Sequence, residues 1–539
     1  MVSIRKAHLQ RGRSSVAFLI FFVALMLCSF SSRAYGWQAA PRGDTYKNPI
    51  LFADYSDPDV IRVGKDYYLI ASSFEFMPGL PILKSHDLVN WTIVSHVFPR
   101  LDLGPAYSLD GGNRYGRGAW APAIRYHGKK FFVYFPTPDE GIFMSTAPTA
   151  EGPWTEPVAV MAQAGLEDPC PFWDDDGTAY LIHSKTGAGP LFLHKMSADG
   201  TKVLDEGKLI VQNKELHTLE GPKLYKRHGY YYIFAPYGGV STGSQVVLRS
   251  KDIYGPYEFR TVLVQGSTDV NGPHQGGYIE TPSGEGWFVH FHSQGAYGRI
   301  DYLEPVKWVD DWPTMGKPIN DTTGEPVLSW QKPDVGGSFP AQRPQTSDEF
   351  SGRKLGQQWE WNHNPDDAHW SLTTRPGFMR LTAMPASDLL HARNTLTQMM
   401  QDPALDLTVR IELKGMKSRQ QAGLAMLSNK PSGVRIVDAA GKRSLVFFAQ
   451  SAETAGPAIS DNHLQLRVHV EREMATYSYS LDDGRTFQPL GEPARIYFSW
   501  WKAARPAIFS FNTDASAKEP GAIDIDWVHY QPAKDMAAK

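Results

Sequence analysis

The chain has 539 residues, 42% of them hydrophobic, 12% aromatic and 21% charged, with a formal charge of −3. That length exceeds one ordinary core and predicts two domains, or one large and one small, and the composition excludes a disordered chain. The 15 Trp, 24 Tyr and 27 Phe, beside 48 Gly and 39 Pro, predict short strands and frequent turns.

Residues 1–36 stand apart. Arg5, Lys6, Arg11 and Arg13 precede the apolar run 16–30, and small residues follow near Ala34 and Gly36. A basic head, a short apolar stretch and a small-residue end predict a signal peptide, hence a secreted or periplasmic protein. About fifteen apolar residues are few for a membrane span, so no membrane association is expected of the mature form. Without residues 1–36, 49 Lys and Arg face 57 Asp and Glu, a formal charge of −8. Such an acidic protein is a poor partner for nucleic acid or anionic polymers. Of the two cysteines only Cys170 remains, so no intramolecular disulfide is expected.

Region 45–315 looks like a repeat. Five segments share a short polar opening, a strand, a turn and an aromatic strand. They begin near Asp57 (Asp-Pro-Asp-Val-Ile-Arg-Val-Gly-Lys-Asp-Tyr-Tyr-Leu), Trp120 (Trp-Ala-Pro-Ala-Ile-Arg-Tyr-His-Gly), Asp168 (Glu-Asp-Pro-Cys-Pro-Phe-Trp), Glu220 (Glu-Gly-Pro-Lys-Leu-Tyr) and His274 (Gly-Pro-His-Gln-Gly-Gly-Tyr). Those markers are 63, 48, 52 and 54 residues apart. Four strands per repeat, five times over, predict a five-bladed β-propeller. Residues at one phase of the repeat then converge on one end of its axis.

Residues 316–345 hold five prolines and several glycines and read as a linker. From there to about 535, period-2 runs such as Leu405-Asp-Leu-Thr-Val-Arg-Ile-Glu-Leu and Leu464-Gln-Leu-Arg-Val-His-Val predict a C-terminal antiparallel β-sandwich over 346–535.

Three acids open repeats with proline close behind: Asp57, Asp168 and Glu220. Taken as one phase, they form a carboxylate cluster at one mouth of the propeller. Mutual repulsion should raise the pKa of at least one, the environment that acid–base chemistry needs. Trp120 at the same phase offers a platform for a sugar ring. Arg299, beside His290 and His292 in the last repeat, can orient a hydroxyl and pair with an acid; His292 is counted with it as a candidate substrate contact. His274 holds the fifth phase, where a structural or ion-associated role is expected. Asp59 should face the same side as Asp57 but deeper. Gly239-Val-Ser-Thr-Gly fits the nucleophile-elbow spacing without its strand-to-helix context, and Asp174-Asp-Asp-Gly reads as a hairpin turn rather than a calcium loop.

Taken together, Asn48-Pro-Ile-Leu, Ser56-Asp-Pro-Asp-Val-Ile, Ser73-Phe-Glu-Phe-Met-Pro-Gly, Trp120-Ala-Pro, Leu219-Glu-Gly-Pro and Gly298-Arg-Ile-Asp-Tyr-Leu-Glu-Pro-Val resemble family 43 glycoside hydrolases. The chain looks most like β-xylosidases and α-L-arabinofuranosidases with a C-terminal sandwich, and the resemblance covers roughly 45–535. It implies an inverting exo-enzyme acting on pentose-containing plant cell-wall glycans. Asp57 would be the general base, Glu220 the general acid and Asp168 the residue tuning the acid, with the base and acid carboxyls about 6.5–9.5 Å apart. Phe74, Trp120 and Arg299 would line the sugar subsite, and the sandwich would pack on the propeller and add a loop to the pocket rim. No cofactor is implied for the chemistry, although a structural calcium near His274 occurs in such proteins. The sequence leaves the oligomeric state open. Where relatives often have Pro-Asp-Pro-Ser, this chain has Ser-Asp-Pro-Asp, which adds Asp59. Glu167 beside Asp168 is expected to point away from the site. Two other readings stand beside this one: a retaining fructan hydrolase, whose Trp-Met-Asn-Asp-Pro-Asn-type opening is missing here, and a sugar-binding propeller that has lost catalysis.

Overall fold

Each repeat pairs an alternating inner strand with an aromatic second strand across a tight turn. The computed structural model, which describes residues 36–40 and 43–533, turns every one into a four-stranded antiparallel sheet. Blade one runs through Asp59–Val63, Asp66–Ile70, Gly79–Ser85 and Trp91–Phe98; blade two through Ala123–His127, Lys130–Thr137, Gly141–Ala147 and Val158–Met161. Blade three is Leu166–Trp173, Ala179–Lys185, Leu191–Met196 and Lys208–Val211; blade four is Lys223–Arg227, Tyr230–Tyr237, Ser244–Ser250 and Glu258–Leu263. Blade five is His274–Glu280, Gly286–Ser293, Arg299–Val309 and Trp312–Met315. The five-bladed propeller is therefore present, and the described residues contain no α-helix, only short 3-10 turns. The proposed signal peptide lies outside the described residues.

Core packing follows the ring. Each adjacent pair of blades encloses its own apolar layer, such as Ile70, Ile82 and Phe98 against Ile124, Val133 and Phe135 between blades one and two. Between blades five and one, Ile279, Trp287 and Leu303 meet Val60, Leu69 and Trp91. Side chains from both faces of a blade are thus buried, which is why so many of the aromatics serve as core.

Polar contacts close the ring at the axis. Asp59 accepts from the Ile124 amide at 2.9 Å and the Arg125 guanidinium at 2.5 Å, joining blades one and two. Arg125 reaches Cys170 Sγ of blade three at 2.8 Å, and that sulfur also accepts from the Leu224 amide of blade four at 3.4 Å. The Tyr278 amide of blade five donates to the Tyr225 hydroxyl of blade four at 2.9 Å. Blades five and one approach so closely that a Cβ on Gly277 would sit 2.7 Å from the Val60 nitrogen, so only glycine fits there. Asp59 is therefore a structural staple, fully buried beneath the mouth.

The ends of the propeller are tied by the N-terminal segment. Thr45–Lys47 pairs with Ser329–Gln331, and Leu51 bridges Asp301 of blade five. Segment 316–345 is folded onto the propeller: Lys317–Pro318 and Gly324–Glu325 extend the sheet of blade four, and Ser329–Gln331 makes the closing pair. The sandwich follows with two large sheets. One contains Gln420–Leu427, Ser432–Ala439, Lys442–Ala449 and Arg505–Asn512; the other contains Ala404–Glu412, His463–Glu471, Met474–Ser480 and Ala522–Pro532. Alternating side chains such as Leu405, Leu407, Val409 and Ile411 fill the layer between them.

The two domains share a sheet. Phe76–Met77, from the blade-one loop, pairs with Glu360–Asn362 and becomes an edge strand of the sandwich. Beside it, Arg505 and Glu360 form a fully buried ion pair, with the guanidinium 3.6 Å from the Phe76 ring centre. The sandwich is thus bonded to the loop that carries Phe74.

Removing one member of a buried ion pair strands the other. Asp59→Ala should lower stability by about 3 kcal/mol, read as an earlier urea midpoint. An unchanged midpoint would show that the Asp59–Arg125 staple contributes nothing.

Candidate active site

Proline shapes the mouth of the propeller. Asp57, Asp168 and Gly221 each precede a proline, two residues ahead of inner-hairpin pairs at Asp59, Cys170 and Lys223; in blade three Leu166 and Glu167 also pair, before a break in register. All three adopt left-handed backbone, with φ of 56°, 55° and 58°. Proline disfavours the right-handed helical region for its predecessor, and Asp is among the few side chains that tolerate the left-handed one. At Gly221 the space is short as well as the backbone strained, since a Cβ there would meet the Gln275 side chain at 2.9 Å.

This alignment corrects the phase read from sequence. Asp57 and Asp168 are equivalent, but Glu220 sits one residue earlier, in step with Trp120, Glu167 and His274. In a straight strand consecutive side chains point to opposite faces. At the left-handed turn both border the same cavity, so Glu167 and Asp168, and likewise His274 and Gln275, line it together. Glu167 therefore does not point away.

The cavity has a volume of about 480 Å³ and is open to solvent at one end. Its walls include Asp57, Phe74, Trp120, Asp168, Glu220 and Arg299. Asp57 on blade one and Glu220 on blade four stand two steps apart round the ring, the greatest separation that five blades allow. Asp168 on blade three neighbours Glu220.

The two sides of the cavity differ electrostatically. The Asp57 carboxylate is buried and accepts from Arg299 at 2.8 Å on one oxygen and from Ser72 at 2.8 Å on the other. It is presented as an acceptor. Opposite, the carboxyl oxygens of Glu167, Asp168 and Glu220 lie within 4.8 Å of one another. Asp168 accepts from the Gly221 amide at 2.7 Å and faces Ser184 at 3.3 Å, and Glu167 accepts from the Ala188 amide at 2.9 Å. Burial and then the charge of Glu220 hold Asp168 well above the usual carboxylate range. Burial and then Asp168 do the same to Glu167. Glu167 and Asp168 therefore retain their protons to higher pH than usual. Glu220 is less buried, with its side chain 19% exposed, and one oxygen meets His274 Nε2 at 2.8 Å.

Phe74 and Trp120 form an apolar wall, their ring centres 6.1 Å apart. Backbone hydrogen bonds of 2.8 and 3.1 Å between Phe74 and Ala119 fix their relation, and Trp120 donates to the Gly116 carbonyl at 3.0 Å. The sandwich supplies one more wall residue, Trp501, half exposed, with the Arg299 guanidinium 5.6 Å from its ring centre. Sequence reasoning expected a sandwich loop at the rim but did not identify it. The Trp500-Trp501 doublet outside any alternating run was the available signal.

His292 is not brought to this cavity. It lines a neighbouring depression with Asp269, Asn271, Gln294 and Arg472. It packs edge-on to Tyr302 with ring centres 4.9 Å apart, and burial pushes its pKa down to about 3. It is a neutral packing residue rather than a substrate contact.

His274 lines the cavity at the axis. Its Nε2 is engaged by Glu220, while its buried Nδ1 and the nearby Gln275 Oε1 find no protein partner among the described residues. They would be two of the about six to eight ligands that calcium takes, a set that water commonly completes. We derive no step through an ion. Gly239 and Val240 also border the cavity, in a turn between the strands Tyr230–Tyr237 and Ser244–Ser250, with no helix behind them.

Known proteins share this arrangement. The sequence model of glycosyl hydrolases family 43 matches residues 46–313, and that of the β-xylosidase C-terminal concanavalin A-like domain matches 347–531. A putative β-xylosidase of Xylanibacter ruminicola is 42% identical over 87% of this chain and 87% of its own. A non-reducing-end α-L-arabinofuranosidase of Bacteroides ovatus is 32% identical over 62% of this chain and 65% of its own. Among solved structures, a bifunctional GH43-CE protein of Bacteroides eggerthii superposes with a TM-score of 0.81 at 30% identity, over 93% of this chain and 64% of that one. Two family matches that divide the chain where the propeller gives way to the sandwich, with a relative this similar along most of its length, place the chain in glycosyl hydrolase family 43, and it is a glycoside hydrolase.

Proposed function

We propose that the protein is an inverting exo-β-xylosidase that releases terminal β-D-xylosyl residues from plant cell-wall glycans. The observation that carries this reading is the division of the cavity: a carboxylate held by Arg299 and Ser72 on one side, and on the other Glu220 beside two buried acids that retain their protons. Asp57 takes a proton from a water that attacks the anomeric carbon. Glu220 gives its proton to the leaving glycosidic oxygen as the C–O bond breaks. Asp57 then loses its proton to solvent and Glu220 regains one. Burial keeps Asp168 and Glu167 protonated to higher pH than usual, and with His274 they surround the acid. The chemistry proposed needs only carboxyl groups. A cavity walled by several blades and by Trp501 suits a chain end better than a chain middle, which supports exo attack.

A terminal α-L-arabinofuranosyl residue is the second substrate reading, favoured by the activity of the Bacteroides ovatus relative. We also propose export, on the signal-peptide pattern of residues 1–36. A mature protein from an exporting host that still begins at Met1 would refute it.

A panel of nitrophenyl β-xyloside, nitrophenyl α-L-arabinofuranoside and xylobiose separates the substrates. On xylobiose, Asp57→Asn and Glu220→Gln should each lower kcat by about 10²–10⁴-fold with the fold intact. Glu220→Gln should impair the nitrophenyl glycosides less, because a good leaving group needs little protonation. NMR of the first-formed sugar should show the inverted anomer, and net retention would overturn the role given to Asp57.

The acid trio yields a pH prediction. Burial keeps Glu167 protonated, so glutamine in its place exchanges one neutral side chain for another. Glu167→Gln should leave the alkaline limb of kcat/KM within about half a pH unit of its wild-type position. A limb that moves down by about a full unit would show that Glu167 is charged beside Glu220.

A further inference from the structure

The sandwich sends one charged side chain into the propeller. Trp500 and Trp501 are both left-handed, with φ of 54° and 67°, and Ser499 and Lys502 bond each other across the reversal at 2.9 and 3.0 Å. This drives Lys502 inward until it is 1% exposed. Its ammonium lies 3.0 Å from an Asp54 carboxylate oxygen and donates to the Asp54 carbonyl at 2.9 Å, to Ser56 Oγ at 3.0 Å and to the Ser72 carbonyl at 3.3 Å.

Two arms lead from those contacts to Asp57. On one, Ser56 Oγ lies 2.7 Å from Ser72 Oγ, which donates to Asp57 Oδ2 at 2.8 Å. On the other, Asp54 accepts from the Arg299 amide at 2.8 Å, and the Arg299 guanidinium donates to Asp57 Oδ1 at 2.8 Å. We propose that Lys502 is a positioning residue for Asp57, setting the direction of the hydrogen bonds that converge on its two oxygens. This rests on the reading of Asp57 as the base.

Donor counting supplies the reason. An ammonium has donors and no acceptor, and a hydroxyl has one proton. A carboxylate oxygen only accepts, so Ser72 gives its proton to Asp57 at 2.8 Å rather than to the Ser56 carbonyl at 3.1 Å; Ser56 then donates to Ser72 and accepts from Lys502. The chain therefore runs one way, from lysine to carboxylate. A methionine in that slot would leave Ser56 without the donor that faces it. The buried charge is otherwise hard to justify. Burial pulls the Lys502 pKa down, yet Asp54 is its direct ionic partner. The other charged and titratable groups facing Lys502 are Glu75, Asp301, Glu360 and Arg505. Arg505 already pairs with Glu360, while burial holds Asp301 well above the usual carboxylate range and pushes Glu75 up to about 8. Lys502 and Arg299 are thus the two cations that answer Asp54 and Asp57.

The test is steady-state kinetics on nitrophenyl β-xyloside against pH, with full-length Lys502→Met, Ser56→Ala and Asp57→Asn. Lys502→Met should fold, keep KM within about threefold and lose at least about tenfold in kcat. Loss of a cation near the base raises its pKa, so the acid limb of kcat/KM should move up by about half a pH unit. Ser56→Ala spares the Lys502–Asp54 pair and should move kcat and the limb the same way by less. If Lys502→Met fails to fold, Ser56→Ala decides, and a wild-type kcat and limb in that variant overturn the proposal. So does a folded Lys502→Met with wild-type values. An active Asp57→Asn would instead overturn the reading of the base.

Discussion

The structure depends on how closely five inner strands can approach one axis. Asp59, Arg125, Cys170, Leu224, Tyr225, Tyr278 and Gly277 form a continuous belt of contacts, and no blade is left out of it. The belt lies just below the mouth, so it fixes where each strand begins and hence where each opening residue stands. Asp59 sits only two residues from the proposed base. Its charge is consumed within the belt by Arg125 and the Ile124 amide, which is how a second aspartate is tolerated beside the proposed base.

Above the belt, the pre-proline turn does the aiming. A straight strand end would present alternate side chains to the cavity. The left-handed residue before proline presents two consecutive ones, and this is why Glu167 joins Asp168 on the cavity wall. The consequence is electrostatic. Three acids gather on the side of blades three and four, where burial makes Glu167 and Asp168 retain protons, while Asp57 and Asp54 on the other side are each paired with a cation. The proposed base and acid are thus set apart by environment rather than by residue type.

The blades were legible because each carries the same local signals: a proline, an alternating strand, a glycine turn and an aromatic strand. Those are short-range, and sequence states them directly. The sandwich strands were legible for the same reason. The one-residue offset of Glu220 was not, because spacing alone cannot tell Leu-Glu-Gly-Pro from Glu-Asp-Pro; the proline, not the acid, is the register mark. His292 looked like a site residue because it lies one register step from Arg299, which faces Ser293 across the strand pair. Cross-strand pairing brings the backbones together, yet the two side chains line different hollows. Trp501 and Lys502 were out of reach for a different reason. They lie more than 400 residues from Asp57, on a loop with no periodicity, and their place is set by a tertiary interface.

That interface gives the sandwich a role beyond bulk. It is bonded to the propeller through Phe76–Met77, two residues after Phe74, and through the buried Arg505–Glu360 pair. Both attachments flank the loop that forms the sugar-side wall. Trp501 then covers Arg299 from outside while Lys502 supports Asp54 from beneath. A propeller alone would have an open funnel and an uncompensated buried aspartate at Asp54. With the sandwich docked, the funnel becomes a pocket with one way in, and the same contact that narrows it also neutralises the charge under its base. Shape and electrostatics are therefore set by one docking event, so the second domain forms part of the active site.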